Sequence, residues 1–304
     1  MAASEFRYSG KMGASPLAIA VVTIPAVFIL SLIYGHINVY NPLIYVNFLM
    51  TMGYGYLIAW IIGKVARLAK CRSPLSLALL SFLMGLWALY AVWAAWSFAL
   101  INRSIPALTP TLLEVYSNPR FLWTFITLVN TSGWFTIHNS TPSGIVLWIV
   151  WAIEAGAIVG IITFYPVKML KGWVFCEPCG VWCLQKPDLA RFSDPSNPEH
   201  VRRLKDGDLT VLAELPPMRP GNSAHIRVSS QRCAKCSETE TIMVTRYWYV
   251  RNEKGVNEEK TKELTPHILL GPESLHALQT AIAAKAVAEQ IPTAAPTTPP
   301  PATQ

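Results

Sequence analysis

Five of the six cysteines in this chain fall in two short clusters: WVFCEPCGVWC, with Cys176, Cys179 and Cys183, and QRCAKCSET, with Cys233 and Cys236. A thiolate is a soft anionic donor that suits zinc, and a Cys-x-x-Cys turn offers two sulfurs to a single ion. Two such pairs supply the four ligands of a tetrahedral structural site, expected at Cys176, Cys179, Cys233 and Cys236. With cysteine at all four positions no coordination place stays open for a water, which disfavours a hydrolytic metal. Cys183 could replace Cys179 or lie behind the ligands, and Cys71 reads as a free thiol near a membrane. The pairs are separated by 53 residues. Closing a loop of that length costs roughly 3.5 kcal/mol plus a constant, against about 10 to 16 kcal/mol from a structural zinc site, so the spacing does not defeat the site.

The other residue that could do chemistry is Glu154, near the middle of the apolar run WIVWAIEAGAIVGII. A carboxyl there suits proton transfer, cation coordination or a polar contact between helices. The plainer expectation is the contact, with Asn47 or Tyr54 as partner, because no second ionisable group lies deep in an apolar run. Small residues recur every fourth position at Gly55, Ala59 and Gly63 and at Ala152, Gly156 and Gly160, a pattern that lets helices approach closely; both are expected inside one bundle. Trp87, Trp93 and Trp96 read as packing and interface residues. His200, His225, His267 and His276 stand in no catalytic spacing, and there is no GxSxG, HExxH, Walker loop or GxGxxG.

The elements that must position these residues follow from composition. Of 304 residues, 52% are hydrophobic and only 14% charged, with a mean hydropathy of +0.34, which is a membrane composition. Residues 1 to 170 carry 9 Lys or Arg against 3 Asp or Glu, and the remainder carries 16 against 15. The net charge of +7 therefore belongs to the apolar half, where it reports orientation, and nucleic acid is an unlikely partner. Four spans are expected, at about residues 16–34, 43–63, 74–101 and 144–165, the first a retained span rather than a cleaved signal peptide. Arg7 and Lys11, then Lys64, Arg67, Lys70 and Arg72, then Lys168 and Lys171 flank the spans on one side. The positive-inside bias puts both termini in the cytoplasm of a plasma or bacterial inner membrane. The entries KMGASPLAIA and KCRSPLSLAL each suggest a Ser cap with Pro at the first helical position, the possible trace of a duplicated hairpin. The outer connection, 102–143, suggests a capped helix in TPTLLEVYSNP and a second in RFLWTFITLVN. The second is too short to span, and Trp123, Phe125 and Trp134 would anchor it over the bundle. The sequons at Asn102, Asn130 and Asn139 read as chance.

After the last span, HIRVSSQ and TIMVTRYWYVRN read as strands, followed by a turn at Asn252 to Gly255, and EHVRRLKDGDLTVLAELPP as short helical pieces ended by Pro216 and Pro217. With its two CxxC pairs, the stretch from about 173 to 265 resembles zinc-ribbon modules, apart from the long insert; no family is recognised in the membrane half. The domains expected are a four-span unit over 1–170, a zinc-ribbon-like cytoplasmic domain over 171–270, a helix over 271–290 and a disordered Pro/Thr-rich tail over 291–304. A disulfide framework would need an oxidising compartment, and a thioredoxin-like pair would open a helix in a βαβ unit; the expected placement offers neither. The fold class expected is an all-α four-helix transmembrane bundle with a small β-rich domain.

Three functions are compatible with these residues. The first is a structural-zinc cytoplasmic module for interaction or regulation, with membrane lipids, a cytoplasmic protein or a second copy as partner. The others are an ion-coupled transport component using Glu154, and a membrane-embedded enzyme acting on a lipid-like substrate beneath the outer connection.

Overall fold

The computed structural model describes residues 4–41, 44–104, 110–135, 141–195, 197–218, 224–236, 239–253, 255–271 and 278–280. They form two compact units, Tyr8–Gly172 and Met1–Arg7 with Trp173–Gln304.

The first unit is helical: α1 (Ser15–Tyr40), α2 (Ile44–Leu68), α3 (Pro74–Ser104), α4 (Leu112–Ser117), α5 (Pro119–Ser132) and α6 (Gly144–Lys171). Of these, α1, α2, α3 and α6 are long and apolar enough to cross a membrane. The expected spans fall on them, and each helix runs on past its apolar stretch. The burial of α1 is inverted relative to a helix of a soluble protein. Its inward seam is Ser15, Thr23, Ser31, Gly35 and Asn38, interspersed with Ile19 and Val27, whereas Leu17, Val21, Ile24, Ile29 and Ile33 face outward. Apolar surroundings suit large aliphatic side chains on the outside and close-packing small residues within.

Hydrogen bonds and close approaches define the neighbours. α1 and α2 run antiparallel, with Ser31 against Tyr54 and Tyr34 against Thr51, at 2.7 Å each. α1 and α3 run parallel: Gly35 lies so close to α3 that a Cβ would sit 2.7 Å from the Trp96 nitrogen. α2 and α6 are also parallel, with Gly55 beside Ile158 and Gly63 beside Met169, and α3 meets α6 where Gly85 faces Val159. Of the two small-residue ladders, Gly55, Ala59 and Gly63 are buried. On α6 the inward face is instead Leu147, Trp151, Ile158 and Ile162, while Ala152 and Gly156 are exposed and nothing approaches Gly156 or Gly160. The small residues of α2 and α3 receive the bulky side chains of α6, so α6 needs none of its own at those contacts.

At the end where α1 starts, the segment before it joins the α2–α3 turn. Gly10 N–H donates to Arg72 O at 3.1 Å and Arg72 N–H to Lys11 O at 2.8 Å. Tyr8 Oη reaches Leu170 O near the end of α6 at 3.0 Å. Ser73 caps α3, accepting from Ser76 N–H. Ser15 does not cap α1: it lies inside the helix and its hydroxyl donates to Met12 O at 2.6 Å. The opposite end is closed by α4 and α5. Thr111 and Glu114 form a reciprocal capping box on α4, and Asn118 caps α5. Val115, Leu122, Ile126 and Val129 pack onto Trp96, Leu147 and Trp151. Asn130 is buried there and donates to Gly144 O, so its sequon is not open to a glycan; Asn102 is exposed, and Asn139 lies outside the described residues.

The second unit is built on an antiparallel sheet. Its elements are β1 (Ser4–Glu5), β2 (Phe175–Cys176), β3 (Val181–Trp182), β4 (Leu184–Ser193), α7 (Pro198–Lys205), α8 (Val211–Glu214), β5 (Ala224–Arg232), β6 (Glu240–Arg251), β7 (Asn257–Glu263) and β8 (Ile268–Leu269). The order is β1-β8-β6-β5-β4, with β7 also paired to β6, and β2-β3 form a separate hairpin. β5 and β6 are the expected strands, joined in continuous register from Ala224↔Trp248 to Arg232↔Glu240. Ile226, Val228, Ile242 and Val244 share one face by period-two alternation and bury against Leu204, Val211, Leu212 and Leu215 of the α7–α8 segment. Those helical pieces stop before Pro216 and Pro217, as expected. β4 was not expected: it carries Pro187 at a register break between Lys186 and Ala190, a bulge that accommodates a residue without an N–H. β1 comes from the segment ahead of α1 and pairs with β8, Ser4↔Leu269 and Glu5↔Ile268. Of the helix expected over 271–290 only 271, which is not helical, and 278–280, which are helical, are described, and the 291–304 tail lies outside the described residues.

Candidate metal centre

Each CxxC pair sits on its own tight turn. The first is the β2–β3 hairpin, where Cys176 pairs with Val181 and Gly180 N–H donates to Cys176 O at 2.9 Å. Gly180 has φ +63°, a left-handed conformation that a glycine adopts freely and that lets the chain turn back immediately after Cys179. On the hairpin, Phe175 and Trp182 meet edge to face at 5.0 Å. The second turn connects β5 to β6: Cys233 N–H donates to Thr239 O at 2.9 Å, and Lys235 N–H donates to the Cys233 sulfur at 3.4 Å. Gln231 ties the turns together by accepting from Val174 N–H at 2.8 Å.

The result is that the four sulfurs of Cys176, Cys179, Cys233 and Cys236 all lie within 4.8 Å of one another. Cys176 and Cys236 are 3.6 Å apart, far beyond a disulfide bond, and all the cysteines are free. A tetrahedron with metal–sulfur bonds near 2.3 Å has edges of about 3.8 Å, so a small contraction would seat an ion. Cys176 and Cys233 are buried and Cys179 and Cys236 half-buried, packed among Val174, Val181 and Phe6, the last of which follows β1. Thr239 Oγ donates to the Cys176 sulfur at 3.3 Å, a contact that orients a ligand from behind.

The thiols divide in their affinity for protons. Burial pushes Cys233 up, but N–H groups of Cys236 and Lys235 and thiols of Cys176 and Cys236 aimed at its sulfur bring it down to about 6. Cys179, hydrogen-bonded to the Cys236 sulfur and partly desolvated, is pushed up to about 12. Without a cation the cluster therefore supports a thiolate at Cys233 and resists a second one nearby. A divalent ion would remove that resistance by neutralising the additional thiolates. Cys183 lies outside the set of four. It is buried beside them, faces Thr239 O at 4.0 Å, and burial pushes its thiol up to about 12. Cys71 is buried at the α2–α3 turn, with its thiol toward Ser73 O.

Glu154 lies midway along α6 and no described side chain hydrogen-bonds it. Neither expected partner takes that part. Asn47 accepts from Asn41 at 2.7 Å, and Tyr54 Oη is shared between Ser31 and Ala88 O. The carboxyl instead borders a small cavity with Tyr34 and Asn38 of α1 and four tryptophans. No sequence signal marked that grouping, since its members come from four separate segments. A larger apolar cavity of about 520 Å³ lies between α3, α5 and α6, against Leu86, Trp93, Trp123 and Trp148. Its size would admit a lipid chain, yet the hydroxyl on its wall, Tyr90 Oη, is already committed to Tyr116 O. Comparison with known protein families, with curated proteins and with solved structures found no match.

Proposed function

We propose that this is a multi-pass integral membrane protein whose four cysteines hold a structural zinc ion in a cytoplasmic, zinc-ribbon-like sheet domain serving interaction or regulation. The observation that carries the reading is the convergence of four thiol sulfurs within 4.8 Å from turns more than fifty residues apart. Four sulfur ligands fill a tetrahedral site and leave no place for substrate, so the ion fixes structure. Backbone pairing between β1, ahead of α1, and β8, beyond α6, supports an even number of crossings between them. The lysines and arginines of the α2–α3 turn and of the end of α6 support the cytoplasmic assignment. For a partner, the sheet offers the face opposite α7 and α8, which carries Arg227, Ser229, Thr245 and Tyr247 around a hollow of about 150 Å³.

Elemental analysis of the purified full chain tests the metal. About one zinc per chain is expected, lost in Cys176→Ser and Cys233→Ser and kept in Cys183→Ser. A Cys233→Ser protein that retains its zinc would overturn the assignment. Cross-linking of the full chain in its membrane tests the partner: capture should weaken in Cys233→Ser, and capture equal to that of the wild type would count against the domain as the interaction module.

A further inference from the structure

From the cavity beside Glu154 we infer that the helical unit binds a monovalent cation, an alkali or ammonium ion, independently of the cysteine centre. The cavity measures about 40 Å³. That is room for an ion with a water or two, a water needing roughly 10–15 Å³ on this measure, and far below the roughly 300 Å³ at which pockets for larger organic ligands begin. Oxygen comes from three side chains on its wall: the Glu154 carboxylate, the Asn38 amide and the Tyr34 phenol. The last two are held in place. Asn38 donates its N–H to Tyr34 Oη at 3.3 Å, and Tyr34 Oη is hydrogen-bonded to Thr51 at 2.7 Å. Using its N–H in this way leaves the Asn38 carbonyl available as an acceptor, the polarity a cation needs.

The rest of the wall is aromatic. Trp93, Trp96, Trp134 and Trp151 surround the carboxyl, with Trp93 and Trp151 centred 4.9 Å apart, Trp96 and Trp134 5.3 Å apart, and both pairs near perpendicular. Indole is the aromatic ring that attracts cations best, and the attraction grows where water is scarce. The Trp134 indole N–H is buried without an acceptor among the described residues, a donor that a water accompanying the ion could satisfy.

Charge and coordination select the class. One carboxylate balances one positive charge, so a divalent ion would leave an uncompensated charge in an apolar bundle. Calcium also takes six to eight oxygen ligands and magnesium a full octahedron, more than this wall provides. Alkali and ammonium ions lose their water at lower cost and suit a few oxygens backed by aromatic rings.

The purified full chain in detergent can be titrated with potassium, ammonium or sodium chloride, with N-methylglucamine chloride holding ionic strength constant, while tryptophan fluorescence and thermal unfolding are followed. A saturable response to at least one small cation is expected, with none to N-methylglucamine alone. Glu154→Gln, which keeps the shape and removes the charge, should raise the half-saturating concentration at least about a hundredfold. Asn38→Ala should raise it by a smaller factor, about tenfold, and provides a second reading should the glutamine variant be unstable. Identical behaviour in all four salts would overturn the inference, as would a midpoint unmoved in both variants. Cys233→Ser should leave the response intact, so failure of the metal centre and failure of the cation site are read separately.

Discussion

At His225 the sheet buries an imidazole flat against Tyr247, 5.2 Å between ring centres, with both ring nitrogens unpartnered among the described residues. Burial and the nearby Arg227 and Arg191 hold its pKa below the usual 6.5, against smaller opposing effects of Glu259 and Asp188. As pH falls through 6.5 the unfolded chain takes up this proton while the folded chain does not. Stability from this group is therefore complete above that pH, declines below it, and levels off once the folded pKa is passed. Half-buried His267, lowered by partial desolvation, acts with the same sign. Denaturant unfolding of the sheet unit should thus show lower stability at about pH 5.5 than at about pH 7.5. His225→Phe should reduce that difference without removing it, and an unchanged difference would refute the account. The clustering of the four cysteines was legible in the sequence because a CxxC turn is a local structure encoded by its own spacing. The surroundings of Glu154 were not, because Tyr34, Asn38 and Trp134 reach it only through helix packing, which no short spacing encodes.

Between elements, the bundle depends on which glycines face a neighbour. A Cβ on Gly35 would fall 2.7 Å from the Trp96 nitrogen and 2.8 Å from the Ala95 carbonyl carbon, both backbone atoms of α3. Gly35→Ala must push α1 from α3 and should destabilise the helical unit by about 1 to 3 kcal/mol. Gly156→Ala meets nothing within 4 Å and removes a glycine from a helix interior, so it should be neutral or stabilise by up to about 1 kcal/mol. Thermal unfolding in detergent separates them, and equal effects would mean that Gly35 is not at a packed contact. The four long helices were legible because length and continuous apolarity survive without knowledge of their partners. The direction each helix faces was less so: the pattern every fourth residue on α6 marks an outward face, while the inward seam of α1 is hidden among isoleucines and valines. β4 escaped notice because Lys186, Pro187 and Asp188 interrupt the alternation that announces a strand, and the bulge that tolerates them is specified by its pairing with β5.

For the whole molecule, the proposed orientation places the residues ahead of α1 and those beyond α6 on one cytoplasmic side. Short protease-cleavable tags added before residue 4 and after residue 280 should both be shielded in intact cells and both be cut once the membrane is opened. Cutting of either tag in intact cells would refute the topology. A division into an apolar half and a more charged half was evident from charge and hydropathy alone. The recruitment of Ser4 and Glu5 into the sheet was not, because a two-residue strand has no pattern of its own and exists only where β8 offers it an edge.

That pairing also imposes a timetable on synthesis. The two strands are made at opposite ends of the described chain, Glu5 opposite Ile268. At about 5 to 20 residues per second, β1 waits roughly 15 to 50 s for its partner. During that interval all four long helices are synthesised, so the sheet is finished only after the last of them has been made. Under the proposed topology, a chain that failed to insert one helix would bring β1 and β8 to opposite faces of the membrane, where they could never meet. Completion of a two-residue ladder would then report that the number of crossings made was even.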